Sequence, residues 1–584
     1  MDKIKPQIRQ VNQNEVLLRT RQGWLHFTNP SRIVTAERLD DVLPALREIE
    51  EQVQTHDWHA AGYISYEAAP AFEPALQTYG KSDFPYLWFG LYSEPQAIDV
   101  PEPTGSQEPV DWHPTTDCKT YQAAIARIKD HIAEGRTYQV NYTMRLQAAF
   151  SDDPWEFFLN IVQNQNRHAA YIDTGRYVIC SASPELFFQL DGNTITCRPM
   201  KGTTSRGRTS AEDRERSEWL KNSAKNRAEN VMIVDMIRND LGRIAELGSV
   251  SVPELFETER YPTLWQMTST VQGKTDASLT QIFTALFPCA SITGAPKVST
   301  MKIIAELENT PRKIYTGAIG YVAPHRKAKF SVAIRTALAD RAQSRAEYGV
   351  GGGIVWDSTS TDEYREALLK ARVLTQQQQP FSLLETLLWE PEEGFLLQEK
   401  HIGRMLDSAG YFDIPLMKEN LEQYLEQISA GFTVSQRVRI LLGQTGKLDF
   451  ESTPFPLQEN QQVLKTSLAK KPVDSSNVFL FHKTTRREVY NAARQSYEDL
   501  DDVLLYNEKG ELTEFTIGNL VVELEGKLFT PPISCGVLAG TFRAHLLETG
   551  QVIEKTIPVE QLSDCSKVFR VNSIRRWQSV KIQT

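Results

Sequence analysis

Cysteine is scarce in this chain. There are six in 584 residues, at 118, 180, 197, 289, 535 and 565, and no two form a CxxC pair. A disulfide framework and a cysteine zinc site are therefore not expected, and a reducing cytoplasm suits the composition. No apolar run reaches the length of a membrane span. The opening MDKIKPQIRQ lacks the apolar core of a signal peptide. Positive charge is not in excess either. Lys and Arg number 64 against 74 Asp and Glu, for a net charge of -10, and no basic stripe stands out. That argues against a nucleic-acid backbone as partner. Short-period repeats are absent as well. The expectation is a cytoplasmic protein with neither nucleic acid nor membrane as partner.

What is present is a globular composition, 41% hydrophobic and 24% charged, on a chain too long for one core. The plainest seam is TQQQQP at 375–380, a short polar run ending in proline after a helix-like stretch. It divides the chain into 1–374, a linker at 375–380, and 381–584. In the first part, strand-like runs such as YVICSASPELFFQL and TITCRPMKGTT alternate with helical ones such as RAENVMIVDMIRNDL. Hairpin-like pairs point to an α+β fold with large antiparallel sheets and flanking helices.

Certain polar residues stand in unusual company. In NTITCRPMKG, Ile195, Cys197, Pro199 and Lys201 share one face of a period-two strand. Lys201 thus either points inward, where lost hydration would free its amine as a nucleophile, or lies at the surface beyond a strand ending at Met200. Further on, Gly351, Gly352 and Gly353 allow close approach to the backbone, and the next helix carries Glu363, Glu366 and Lys370 on one face. Ser360 and Glu363 have the spacing of a capping box, and Glu366 that of a surface pair with Lys370. The alternative is a set of carboxylates for Mg²⁺. Lys225 and Glu229 are spaced as a helical ion pair. Arg335 in FSVAIRTAL shares its face with small residues, which leaves room for a carboxylate ligand.

Taken in order, SASPELFF, RPMKGTTSRG, KNRAENVMIVDMIRNDLGRI, SITGAPKVSTMKIIAELE, YTGAIGY and GVGGGIVWDSTSTDEYREALLKA resemble the chorismate-utilising enzymes over roughly residues 115–375. That family includes anthranilate synthase component I and aminodeoxychorismate synthase component I. The lysine in PMKGT resembles the aminodeoxychorismate branch, where it attacks chorismate at C2 before ammonia adds at C4. The resemblance implies that Glu229 and Glu366, supported by Glu363, hold Mg²⁺ on the ring carboxylate. It implies that Tyr315 and Arg335 bind the enolpyruvyl carboxylate, with Lys370, Ser291, Gly352 and Gly353 completing the pocket. Two positions depart from the pattern: Gln266, where many relatives carry histidine, and Ala290, where glycine is usual. No Cys/His/Glu glutaminase signature is present, so a separate glutamine amidotransferase, or free ammonia, must supply nitrogen.

In the second part, NVFLFHKTTRREVYNAARQ places Phe479, Phe481 and Lys483 on one strand face. LAGTFR opens a helix whose free backbone amides would suit phosphate. A lysine, a phosphate site and the carboxylate of Glu514 are what pyridoxal phosphate needs. HIGRMLDSAGYF, LTEFTIGN, LAGTFR and VFRVNSIRRW resemble the class IV, or fold-type IV, pyridoxal-phosphate enzymes over most of 381–584. That resemblance implies Lys483 as Schiff-base lysine and proton shuttle. It implies Glu514 at the pyridine nitrogen, Asn519 in support, and Arg404, Ser573 and the Thr541 and Phe542 backbone at the phosphate. It also implies a possible homodimer through this domain. Strands usual before FSLLETL are missing, so the small subdomain reads as trimmed. Together the two resemblances imply synthesis of 4-amino-4-deoxychorismate and its cleavage to 4-aminobenzoate, toward folate. The alternative is an anthranilate-type synthase fused to a class IV aminotransferase.

Overall fold

A computed structural model describes all residues except 1–5, 81, 104–109, 151–152, 164–166, 375–379, 457–462, 498 and 584. Nearly all of the expected linker thus lies outside the described residues. The chain forms two compact units. One comprises Met1–Ser205 and Ser217–Gln377, the other Arg206–Arg216 and Gln378–Thr584. The short segment that joins the second unit carries its own ion pairs, Arg206 with Asp213 at 2.7 Å and Arg208 with Glu212 at 2.6 Å.

The first unit contains two ten-stranded sheets. Along one run Gly294–Ala295, Gln139–Ala149, Arg345–Ile354, Thr336–Asp340, Tyr177–Ser183, His168–Asp173, Val16–Thr20, Gly23–Phe27 and Gln96–Ile98, each antiparallel to its neighbour. The other begins at Met200–Ser205 and continues through Leu264–Lys274, Thr194–Arg198, Leu186–Asp191, Lys327–Val332, Ala318–Ala323, His59–Ile64, Leu87–Tyr92 and Arg32–Ala36. This is the α+β architecture with large antiparallel sheets that the hairpin-like runs predict.

The helices follow their apolar spacing. Leu39–His56 buries Val42, Ala45, Leu46, Ile49 and Val53, one stripe at three- and four-residue intervals. Ala224–Gly242 starts where the Ser223 side chain accepts from the Asn226 amide, and it buries Asn230, Ile233, Val234, Ile237 and Leu241. The densest packing is aromatic. Phe283 is fully buried, and its ring lies within 6.2 Å, centroid to centroid, of Phe72, Phe187, Phe188, Phe287 and Phe330.

In the second unit, a four-stranded sheet has the order Gly394–Phe395, Leu383–Glu390, Gln436–Leu442, Leu448–Pro454. An eight-stranded sheet mixes directions, with Leu464–Leu468 parallel to both Asp502–Tyr506 and Arg576–Ile582. The strand expected to end at Lys483 is not formed. Val478–Leu480 is a single 3₁₀ turn, capped by Asn477, whose side chain accepts from the Phe479 amide at 3.0 Å. Alternating aromatics read as a strand, but the Asn477 cap turns the backbone before any ladder can start. Among the described residues no helix is long and apolar enough to cross a membrane.

Phe283→Ala removes a ring at the centre of the aromatic cluster. It is expected to cost about 3–5 kcal/mol, as large cavities in aromatic cores do. Urea unfolding should show the transition of the first unit moved to lower denaturant, with that of the second unit in place; two unmoved transitions would refute this packing.

Candidate active sites

Lys201 reaches its pocket by a route that alternation does not describe. Pro199 separates Thr194–Arg198 from Met200–Ser205, and the register against Leu264–Lys274 shifts between Met200 and Thr203. That irregularity falls on Lys201 and Gly202. Gly202 has φ +98°, a conformation that glycine adopts freely. The bulge is braced from both sides. Gln266 donates to Gly202 O at 2.8 Å and accepts from Thr203 Oγ1 at 3.0 Å. Asn230, held by Ser269 at 2.6 Å, donates to Lys201 O at 3.4 Å. Gln266, noted above as a departure, thus binds backbone beside Lys201.

The Lys201 amine lies against Gly353. A Cβ at Gly353 would sit 2.7 Å from Lys201 Nζ and 2.4 Å from Gln139 Nε2, so any larger residue would displace both side-chain ends. Burial lowers the pKa of Lys201, with Lys370 adding to the effect and Glu229, Glu366 and Glu185 opposing it. All four charged groups act electrostatically on Lys201, while the Glu366 and Lys370 side chains remain 59% and 43% exposed. Lys370 donates to Gly351 O at 3.0 Å and pairs with Glu366 at 2.9 Å. Burial would raise the pKa of Glu366, but the Lys370 ammonium holds it below the usual range. Glu363 does not close a capping box. Its carboxylate accepts from Ser358 Oγ at 2.7 Å, and Thr359 occupies the N-cap of Ser360–Lys370. Glu363 also lies beside Gly352, and burial raises its pKa.

Among the described residues, no three His, Cys, Asp or Glu side chains are close enough together to hold a metal ion. Glu229, Glu363 and Glu366 offer only oxygen donors, the kind Mg²⁺ prefers, but Lys370 occupies the Glu366 carboxylate.

Arg335 has φ +51°, uncommon outside glycine. Its Nη1 is buried and has no partner among the described residues. An unpaired guanidinium nitrogen in that position suits a carboxylate. Tyr315 is buried with the Arg145 guanidinium 5.1 Å from its ring centroid. Tyr315 and Arg335 both act electrostatically on Tyr348 and so share a neighbourhood. Ala290 begins the buried turn Ala290–Ile292, which carries Ser291.

Two buried polar residues of the first unit, Glu185 and Gln139, were missed by sequence reasoning. Glu185 is 3% exposed, accepts from Ser291 Oγ at 2.7 Å, and is pushed up by burial to about 7. Gln139 is fully buried with neither side-chain amide atom partnered among the described residues. A signal existed for Gln139. Gln139, Asn141, Thr143 and Arg145 alternate along a strand that is buried over nearly its whole length, and a polar face inside a core needs a partner or a ligand.

In the second unit, Lys483 sits in a loop that the small sheet anchors. Its carbonyl accepts from the Leu384 amide at 2.9 Å, and Thr484 bridges to Leu383. Burial lowers the Lys483 pKa to about 8, helped by Arg404 and Arg487 and opposed by Glu385 and Glu514. Glu514, pushed up by burial to about 7, accepts from Tyr490 Oη at 2.8 Å and Asn519 Nδ2 at 3.0 Å. Asn519 also donates to Leu538 O at 2.9 Å. The helix Thr541–Glu548 starts from Gly540 with no side-chain cap, which leaves the first amides, those of Thr541 and Phe542, for a ligand. Arg404 makes two bonds to Glu385, at 2.7 and 2.6 Å, and one to Ala539 O at 2.9 Å. Ser573 Oγ reaches Thr386 O only at 3.5 Å. Glu385, His401 and Tyr490 were not singled out from the sequence. An amine, an acid and an uncapped helix start in one place fit pyridoxal phosphate.

Residues 13–376 match the chorismate binding enzyme family, and the chain belongs to it. Residues 382–582 match the class IV amino-transferases. Aminodeoxychorismate synthase component 1 of Escherichia coli is 40% identical over 270 residues, covering 46% of this chain and 59% of the relative. The protein of that name from Bacillus subtilis is 39% identical over 254 residues, covering 43% and 54%. The chain therefore matches little more than half the length of these curated relatives. Anthranilate synthase component I from Streptococcus pneumoniae shares the fold at TM-score 0.53 and 24% identity, with 63% of this chain and 94% of that one covered.

Gly353→Ala should block the first pocket without unfolding the protein, because the atoms nearest the added methyl are the movable ends of two side chains, the Lys201 amine and the Gln139 amide. Chorismate turnover should fall by on the order of a hundredfold, as misplaced catalytic groups commonly do, at unchanged denaturant stability of the first unit. Turnover at the parent rate would show that Lys201 and Gln139 do not line the reactive space.

Proposed function

We propose that the chain makes 4-aminobenzoate from chorismate and ammonia in two steps, one in each unit. The observation that carries the first step is the Lys201 amine, whose pKa burial lowers, set among Glu185, Glu229, Glu366 and Lys370. The names of the relatives from Escherichia coli and Bacillus subtilis support the same reading.

In the first unit, the Lys201 nitrogen attacks C2 of chorismate, both ring double bonds shift by one position, to C1=C6 and C4=C5, and the C4 hydroxyl departs. Glu185 near 7 is partly protonated at neutral pH and gives its proton to that hydroxyl, which leaves as water. Ammonia then adds at C4, both double bonds shift back, and the Lys201 nitrogen is expelled, with Glu185 as carboxylate recovering a proton. One hard displacement becomes two easier ones. Arg335 and Tyr315 would hold the enolpyruvyl carboxylate, and Ser291 orients Glu185. Mg²⁺ would supply Lewis-acid stabilisation at the ring carboxylate, with Glu229 and Glu366, and Glu363 in support, drawn together around it on binding. Lys370 would release Glu366 to the ion. A separate glutamine amidotransferase would deliver the ammonia.

In the second unit, pyridoxal phosphate when bound supplies an electron sink at the carbon bearing the amine. Lys483 would hold it covalently, Glu514 would face its ring nitrogen, and Arg404, Ser573 and the Thr541 and Phe542 amides would bind its phosphate. Lys483 with a pKa near 8 can take the C4 proton and return one to the departing enolpyruvate carbon. Pyruvate leaves and the ring becomes aromatic. The product of the first step is the substrate of the second, which favours elimination over transamination here.

Lys201→Ala should reduce 4-amino-4-deoxychorismate formation on the order of a hundredfold or more, the usual loss when a covalent route closes. Product analysis by chromatography decides this, and an unchanged rate would remove the nucleophile.

Lys483→Ala should leave that first reaction running, since the two sites share no residue. Given chorismate, ammonia and Mg²⁺, the variant should accumulate 4-amino-4-deoxychorismate and release almost no 4-aminobenzoate or pyruvate. Release at the parent rate, or anthranilate as the parent's product, contradicts the two-step reading.

A further inference from the structure

Glu385, His401 and Thr541 form an unbroken buried line in the second unit. They come from the strand Leu383–Glu390, the helix Gln398–Phe412 and the first residue of Thr541–Glu548. Glu385 Oε2 meets His401 Nδ1 at 2.6 Å, and His401 Nε2 meets Thr541 Oγ1 at 3.1 Å. The direction of each proton follows from the partners. Burial pushes Glu385 up, but Arg404 and His401 bring it down to about 2, so it is a carboxylate and can only accept. His401 therefore carries its proton on Nδ1. Burial keeps His401 below its ordinary pKa, with Arg404 and Lys483 assisting and Glu385 opposing, so the ring is neutral and Nε2 is a lone pair. The Thr541 hydroxyl then gives its proton to His401. Elsewhere it presents only lone pairs, the wrong polarity for an anion at the start of this helix.

We propose that Glu385, His401 and Thr541 couple phosphate binding to a proton: when a phosphate dianion docks at Thr541, His401 takes up one proton at Nε2, and the Thr541 hydroxyl turns to donate to the phosphate. This rests on the pyridoxal phosphate reading above, and it deepens that reading by making His401 and Thr541 positioning residues for the phosphate. The charged groups facing His401 are Glu385 from the strand, Arg404 from its own helix and Lys483 from the loop. Arg404 and Glu385 offset one another as a bidentate pair. The arriving dianion is thus the largest change in the local field, and a nearby negative charge favours the imidazolium. The sign of the pH effect follows. The bound state holds one more proton, so affinity falls as pH rises, by about tenfold per unit between the free and bound pKa values of His401.

The test uses the full chain with ¹⁵N-labelled histidine, with the His401 signal assigned by its loss in His401→Gln. The probes are pyridoxal phosphate and pyridoxal, which form the same bond to lysine and differ in the phosphate. Near neutral pH, His401 should be neutral and protonated on Nδ1 in free protein and with pyridoxal. With pyridoxal phosphate both ring nitrogens should carry protons. Thr541→Val, which keeps the shape and removes the hydroxyl, should leave His401 neutral with either probe. It should also cut the preference for pyridoxal phosphate by about tenfold, the scale of one charge-assisted hydrogen bond. Thr541→Ser should restore both properties. A neutral His401 in protein whose visible absorbance shows bound pyridoxal phosphate overturns this inference and leaves the cofactor reading standing. No visible absorbance with pyridoxal phosphate overturns both.

Discussion

An ammonium group taken out of water must either lose its proton or find compensating charge, and both sites are organised around that constraint. Lys201 and Lys483 each owe a lowered pKa first to burial. Each also has carboxylates close enough to resist the shift: Glu229, Glu366 and Glu185 around the first, Glu385 and Glu514 around the second. That balance suits the roles proposed for both lysines, bonding carbon and carrying a proton. The same burial raises Glu185 and Glu514 to about 7, so each lysine faces an acid that changes charge near neutrality.

The two units bear this constraint with different backbones. In the first, a ten-residue antiparallel register from Arg345↔Ala149 to Ile354↔Val140 sets Gly353 opposite Asn141, next to Gln139. In the second, the lysine rides on a loop, and its position comes from single bonds to the small sheet, the Leu384 amide to its carbonyl and the Thr484 bridge. Precision in the first site is a property of sheet register. In the second it depends on a few local contacts.

The parts of this structure that were legible in the sequence are those with a period. Helix Ala224–Gly242 and the shared face of Glu366 and Lys370 follow from 3.6-residue spacing, and the large antiparallel sheets from alternating runs. The partly buried Lys201 sets its amine against Gly353 through a bulge after Pro199 and not through the alternation that suggested an inward course. Alternation failed outright at Phe479, Phe481 and Lys483, where one Asn477 side chain turns the backbone. Glu185, Gln139, Glu385 and His401 were invisible for another reason. Each acquires its environment from strands or helices remote in sequence, and nothing local distinguishes a buried acid from a solvated one. The apparent capping box at Ser360 and Glu363 shows the reverse error, a local pattern displaced by the Ser358 hydroxyl.

The strand that carries Lys201 stands at one end of its sheet and, among the described residues, pairs with Leu264–Lys274 alone. A residue on a terminal strand can be exchanged, or a bulge added or removed, while a single ladder is disturbed and the interior of the sheet keeps its pairing. The lysine proposed as nucleophile thus stands on a part of the framework that can be altered with little disturbance to the inner strands. New chemistry at this position would arise by substitution at a margin, while the inner strands continue to specify the shape of the cavity.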